Sequence, residues 1–404
     1  MRAAVSPPDT PKSWRGSIWP VLAAVAAAGI SCLPIFLPGV IGPGHQLRPS
    51  IQHVDRLAAL AIPLLAVWFT WAVPSSLSRR DKFVLFVLLA LTTWYLIDLH
   101  LTYVDAGHYF PTTQFADNTA WQQTLHRKVI AMEAGALPHS YRFLPDAFTA
   151  LVEWATGSYE FARLIYRATF QWLLVFSIYY FARLYLSHLQ SLSMVLIYAA
   201  IYPASIRYYA GQLTDPLSHL SFVLAFIFIE LDEFLWFLTA VLLGTLAKES
   251  VAIVALYPLL FSRGDRRGWL RGVIATVACA IFVVGVRMFV HRLAFGYEDV
   301  SGVPPGHLIR NLALLESWPR QAIFTVGVLI PFAAAGWKRG PRRVKELLLL
   351  VGPALIVSNA AFSWMHEARN FVPITLLLAV IAVQMVSRLK TPSLLEGSEA
   401  EPMR

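Results

Sequence analysis

The sequence predicts an all-α, polytopic transmembrane helix bundle of about twelve spans, with extracytoplasmic amphipathic helices in the first large outer loop. Three observations predict it. Apolar residues make up 57% of the 404 positions and charged residues 14%, the balance of a chain solvated largely by lipid. Apolar runs long enough to cross a bilayer recur from Ile18 to Val386. Between them, Arg and Lys gather in short loops that fall on one side of the membrane once the runs are threaded. The formal charge of +9 is therefore a topology signal, and no nucleic-acid partner is expected.

Taken in order, the spans are placed at Ile18–Val40, Leu57–Val73, Phe83–Val104, Tyr166–Leu186, Ser191–Ser205, Pro216–Leu231, Phe234–Leu246, Val251–Phe261, Val273–Val290, Ala322–Trp337, Leu347–Phe362 and Phe371–Val386. An even count puts both termini on one side, and Arg2, Lys12, Arg15, Arg388 and Lys390 make that side the cytoplasm. Residues 1–17 are then a cytoplasmic N-terminus, 18–390 the transmembrane domain and 391–404 a polar, disordered cytoplasmic tail. The first span has the look of a secretory leader, but its removal would invert the parity, so it is read as retained. Cys32 and Cys279 both fall inside spans, which suits packing and implies no disulfide framework. No internal repeat is visible, which weighs against a transporter built on inverted repeats. No P-loop glycine pattern is present, which weighs against an ATP-driven pump.

The stretch Phe234–Phe261 is apolar except near its middle, where Lys248 and Glu249 stand. Each such charge costs roughly 2.5–3.5 kcal/mol at the centre of an inserted helix, so intramembrane ionisable residues mark functional cavities. As one helix the stretch would run ~42 Å, longer than a ~30 Å hydrocarbon core needs. Broken at Ala247–Ser250 it makes a hairpin with a polar turn. The hairpin also keeps the basic loops Arg79–Lys82, Arg263–Arg271 and Lys338–Lys345 on one side, whereas a single crossing would split them.

Two outer loops follow from this threading. Residues 105–163 carry apolar and aromatic residues at helical spacing through Trp121–Ile130 and Phe143–Trp154, punctuated by Pro111, Pro138 and Pro145. They predict amphipathic helices lying on the membrane surface. In the second loop, 293–319, the run Gly302–Gly306 predicts an irregular segment ahead of a short helix. The polar residues then collect on the outer face: Asp105, His108 and Tyr109 after the third span, Arg142 later in the same loop, Arg207 between spans five and six, Lys248 and Glu249 at the hairpin turn, and His366, Glu367 and Arg369 before the last span. Cations of two kinds beside carboxylates suit an anionic, membrane-anchored substrate, since Arg makes bidentate phosphate contacts and Lys supplies a point charge. Asp215-Pro216 reads instead as a helix N-terminus, Asp at the cap and Pro at the first position. His100, His108, His126 and His139 lack metal-ligand spacing, so no metal site is assigned, although a divalent ion is not excluded.

An acidic residue after an early span (Asp105), a recessed Lys-Glu pair (Lys248, Glu249) and the start Glu367-Ala-Arg369-Asn370-Phe371-Val-Pro373 of a late span together resemble the GT-C superfamily of polytopic glycosyltransferases. The resemblance covers Phe83–Val386. It implies an enzyme of a bacterial inner (cytoplasmic) membrane that transfers a sugar from a polyprenyl-phosphate donor to an acceptor on the outer side, with no organic cofactor. By position, Asp105 matches the family's acidic residue in the first outer loop and Lys248 the lysine beside the donor phosphate. Ala106 follows Asp105 where protein- and lipid-modifying members commonly carry Asp-Glu, so the acceptor (glycan, lipid or protein) and metal use stay open. The remaining polar residues of the outer face are assigned to substrate binding. Two alternatives stand beside this reading: a secondary transporter or lipid-carrier flippase, and a polysaccharide polymerase or ligase using a lipid diphosphate.

Overall fold

The computed structural model describes residues 77–99, 122–133, 139–206, 213–262, 264–293, 306–313, 326–363, 365 and 367–389, and every regular element among them is helical. In chain order these include α1 (Arg79–Leu99), α2 (Phe143–Thr156), α3 (Tyr159–Arg183), α4 (His188–Ile206), α5 (Thr214–Glu230) and α6 (Phe234–Thr245). After α6 come a 3-10 helix (Glu249–Leu256) and α7 (Tyr257–Phe261), then α8 (Arg266–Leu293), α9 (Gly306–Ala313), α10 (Ile330–Gly336), α11 (Arg342–Phe362) and α12 (Val372–Leu389). Among the described residues, helices fall within the sequence-placed spans from the third onward, although in Ala322–Trp337 the α-helix is only Ile330–Gly336. The first two spans, both terminal segments and Cys32 lie outside the described residues.

Among the described residues, three helical stretches are long and apolar enough to cross a membrane: Arg266–Val290, Arg342–Ala361 and Ala368–Ser387. Their environments differ. The last is largely buried, packed on α4, α5, α10 and α11, while the first presents Leu270, Ile274, Val277, Ile281, Val284 and Met288 to the outside. Backbone N–H and C=O groups of a helix are satisfied internally, so such an apolar exterior suits lipid. The chain is a membrane protein.

One continuous core joins α1, α3, α4, α5, α6, α11 and α12 through side chains such as Phe86, Tyr166, Phe181, Phe226 and Leu377. Two glycines let the backbone take its path. Gly157 has φ +72°, a left-handed conformation that Gly adopts without strain; it ends α2, and Ser158 then caps α3 by accepting from Phe161 N–H at 3.3 Å. At Gly244 a Cβ would lie 2.6 Å from both Ser221 Cβ and Val251 Cγ1, so the approach of α6 to α5 and to the following 3-10 helix requires glycine there.

That approach closes the hairpin. Phe234 and Phe237 at the start of α6 and Tyr257 and Phe261 of α7 line one cavity of about 750 Å³, so both ends of the stretch lie at the same end of the bundle. The turn between them lies at the other, beside the outer-loop residues Arg142 and Leu144, the latter bonded through its N–H to Leu246 O at 3.2 Å. The segment read from sequence as the first outer loop holds helices, at 122–130 and α2, and α9 is the short helix in the segment read as the second. Asn311 of α9 donates to the carbonyls of Ala360 (2.9 Å) and Ser363 (2.8 Å) and accepts from Met365 N–H (3.0 Å), pinning the strap that leads from α11 into α12.

Candidate functional site

Three chain segments that share no local sequence meet at the turn end of the bundle. The first is the 3-10 turn His139–Arg142. The second is the break in the hairpin, where Lys248 precedes the 3-10 helix in an extended conformation (φ −163°, ψ 123°). The third is the strap entering α12, a 3-10 turn over Ala368–Phe371. The first turn of α5 completes the floor.

At the centre Asp215 Oδ2 accepts from Arg369 Nη1 at 2.7 Å, and the Lys248 ammonium lies 3.5 Å from Asp215 Oδ1. Lys248 also donates to Asn370 Oδ1. Arg369 Nη2 donates to Glu367 Oε2 at 3.0 Å, and Asn370 Nδ2 lies 3.3 Å from the same oxygen. One turn along α5, His219 Nε2 sits 2.9 Å from Arg369 O. A carbonyl only accepts, so His219 carries its proton on Nε2. Asp215, His219, Arg369 and Asn370 are all buried. Buried charges stand only when paired and hydrogen-bonded, and here each answers another.

A second pair flanks this centre. Arg142 Nε donates to Glu249 Oε2 at 2.8 Å, and Arg287 of α8 approaches Glu249 Oε1 at 3.8 Å while its guanidinium lies 5.2 Å above the Tyr141 ring. Lys248 and Glu249 therefore face different partners, as neighbours in sequence must when the backbone between them is extended. His139 completes the group: in a 3-10 turn residues i and i+3 eclipse, so His139 shares the face of Arg142. Burial first, then the positive fields of Arg142 and Arg369, lower its pKa to about 4 against the opposing Glu249 and Glu367. The imidazole is uncharged at neutral pH.

Of the sequence-predicted site residues, the structure gathers Arg142, Lys248, Glu249, Glu367 and Arg369 at one end of the bundle. Asp105, His108, Tyr109, Arg207 and His366 lie outside the described residues. Asp215 departs from its sequence reading. The cap position of α5 is Leu213, and the Asp215 side chain turns to Arg369 and Lys248 instead of to its own helix. Its charge still suits the helix N-terminus, so the dipole and the ion pairs act together. Sequence reasoning also passed over His139, His219 and Arg287. Only Arg287 carried a signal of its own, an arginine within an apolar span. Among the described residues no group of His, Cys, Asp and Glu is disposed to hold a metal.

A separate polar group sits between the two outer-loop helices. His126 Nδ1 meets Asp146 Oδ1 at 2.8 Å and its Nε2 meets Glu153 Oε2 at 3.3 Å. Burial raises the pKa of Asp146, and the His126 contact opposes that rise. This bridge braces α2 and, through it, the Arg142 turn.

Comparison with protein-family models, with curated proteins and with solved structures finds no match to this chain.

Proposed function

We propose that this protein is an integral membrane glycosyltransferase that moves a sugar from a polyprenyl-phosphate donor to an acceptor on the extracytoplasmic side of a bacterial inner membrane. The observation that carries the reading is the convergence of Arg142, Lys248 and Arg369 with Asp215, Glu249 and Glu367 at one end of an apolar bundle. Cations held ready by carboxylates in a water-poor recess are what a departing phosphate requires, because preorganised charge costs no reorganisation during the reaction.

In the proposed reaction Asp105 takes the proton of the acceptor hydroxyl as its oxygen bonds to the anomeric carbon. The bond from that carbon to the phosphate oxygen breaks, and its electron pair leaves on the lipid phosphate. Lys248 and Arg369 face the growing charge, with Arg142 beside them. Asp215 is paired to both Lys248 and Arg369, so it orients cations and is a poor proton acceptor. Glu249 and Glu367 are likewise engaged with arginines.

Asp105→Asn keeps the shape of the side chain and removes proton acceptance near neutral pH. Turnover of a polyprenyl-phosphate sugar is expected to fall by roughly 10²-fold or more with donor affinity nearly intact. Near-normal turnover in Asp105→Asn, with loss in Glu249→Gln or Glu367→Gln, moves the base to that residue. Full activity in all three removes acid–base catalysis by these carboxylates.

A further inference from the structure

Resting on the proposed lipid-phosphate site, we infer that His139 is a phosphate-binding residue of that site, converted from imidazole to imidazolium when the phosphate docks on Arg142, Lys248 and Arg369. The geometry leads there from three sides. The 3-10 turn His139–Arg142 sets the ring on the face from which Arg142 reaches Glu249. From the strap, Glu367 and Arg369 both act electrostatically on the ring. Arg287 of α8 lies over Tyr141 of the same turn, so α8 packs against the turn that carries the ring.

The charges facing His139 are two cations, Arg142 and Arg369, and two carboxylates, Glu249 and Glu367, with Arg287 of α8 over the neighbouring Tyr141. The fields of the cations outweigh those of the carboxylates, so nothing at rest favours adding a proton to a half-buried ring. A phosphate that settles on Arg142 and Arg369 brings a negative charge without a new cation. The ring then gains a counter-charge and, as imidazolium, donates from both nitrogens. Binding of the lipid phosphate and uptake of one proton become linked. His219 lies deeper, buried with its Nε2–H given to Arg369 O, which leaves that nitrogen nothing to offer a ligand. His139 also discriminates: a neutral lipid headgroup gives the ring no reason to charge, whereas a phosphate does.

The test uses the full chain in phosphatidylcholine nanodiscs and dihexyl phosphate, a phosphodiester that stays a monoanion over the range used, so that the ligand contributes no titration. Affinity in the natural protein is expected to rise about tenfold from about pH 7.5 to about pH 5.5, as if the ring regained its ordinary pKa on binding. His139→Asn should bind weakly and with that pH dependence lost. His139→Arg, with a fixed charge, should bind tightly at every pH. Thermal unfolding in the same nanodiscs checks that each variant is folded, and His139→Gln replaces the Asn variant if that one is not. Tight but pH-independent binding by the natural protein overturns the role of His139 and leaves the lipid-phosphate site standing. A pH dependence that persists in His139→Asn overturns it as well, by moving the proton to another group. No binding by any form at any pH overturns both this inference and the site on which it rests.

Discussion

At the hairpin-turn end of the bundle, Arg369 and Asp215 pair at 2.7 Å with side chains only 6% and 11% exposed; at the opposite end, Arg343 reaches Glu230 at 3.5 Å with its side chain 43% exposed. Both ends carry arginines and carboxylates in similar number. The opposite end spreads them around the open cavity of about 750 Å³, where Arg271 meets Asp232 at 2.7 Å and Arg342 meets Glu346 in the next turn of α11. Tyr185 and Tyr257 donate to Glu230 and Glu346, each at 2.9 Å. The carboxylate of Glu346 is buried there too, but its partner Arg342 is 60% exposed. At the turn end the cations and carboxylates are held by one another, Asp215 by Arg369 and Lys248 and Glu367 by Arg369. A charge in water is inexpensive and its pair weak; a buried charge persists only where its partners are fixed. The turn end is the built one. Between the two, α5, α6 and the 3-10 helix pack Phe222, Val223, Phe237, Val241 and Val254 into apolar core.

The difference is sharpest when one partner of a pair is removed. Asp215→Asn leaves Arg369 and Lys248 without their shared carboxylate, and a loss of about 3–5 kcal/mol in stability is expected, read as thermal unfolding of purified protein in detergent. A change below about 1 kcal/mol would place the cluster in water and erase the contrast between the ends.

Acid should act on the turn end next. His139 is protonated in the unfolded chain near its ordinary pKa of 6.5 but in the folded protein only near 4. Its contribution is therefore fully present above about pH 6.5 and is lost as pH falls towards 4. Acidification from pH 7 to pH 5 should cost roughly 1–2 kcal/mol through this group, and His139→Asn should remove that share of the slope in unfolding measured across pH. An unchanged slope in the variant contradicts the assignment.

The smallest effect belongs to the opposite end. Arg343→Ala should change stability by about 0–1 kcal/mol and leave sugar transfer unaltered, because Glu230 keeps its tyrosine and the site is open to water. A large loss of transfer in this variant would make the two ends functionally equivalent and favour the carrier reading.

Much of the helical layout was legible in the sequence because apolar run length and basic-loop alternation are written along the chain. The hairpin shows this. Two charges in an apolar stretch and the sidedness of three basic loops place the break at Ala247–Ser250, and α6 ends at Thr245 with Glu249 opening the next helix. Lipid-facing and core helices were not separable: α8 and α12 are both apolar along their length, and only packing against α4, α5, α10 and α11 buries α12. Site residues with unusual surroundings in sequence were visible, as with Lys248, Glu249 and the segment Glu367–Arg369. Asp215 was not, because an Asp before Pro at a helix start is what a cap looks like, and only the fold brings Arg369 from 154 positions away to claim it. His139 and His219 carried no sequence signal, since a lone histidine declares itself only through its neighbours in space.

The central claim is that the turn end binds the phosphate of a lipid-linked sugar and that the opposite end does not. The measurement that tests it most directly is release of label from a radiolabelled polyprenyl-phosphate sugar by the purified protein, run in parallel for the natural chain, Lys248→Ala and Arg343→Ala at equal folded amounts. Transfer by the natural chain is expected, with a loss of about 10²–10³-fold in Lys248→Ala from the missing charge beside the phosphate and unchanged transfer in Arg343→Ala. Equal transfer by Lys248→Ala and the natural chain, or label that never leaves the lipid in any of the three, would contradict it.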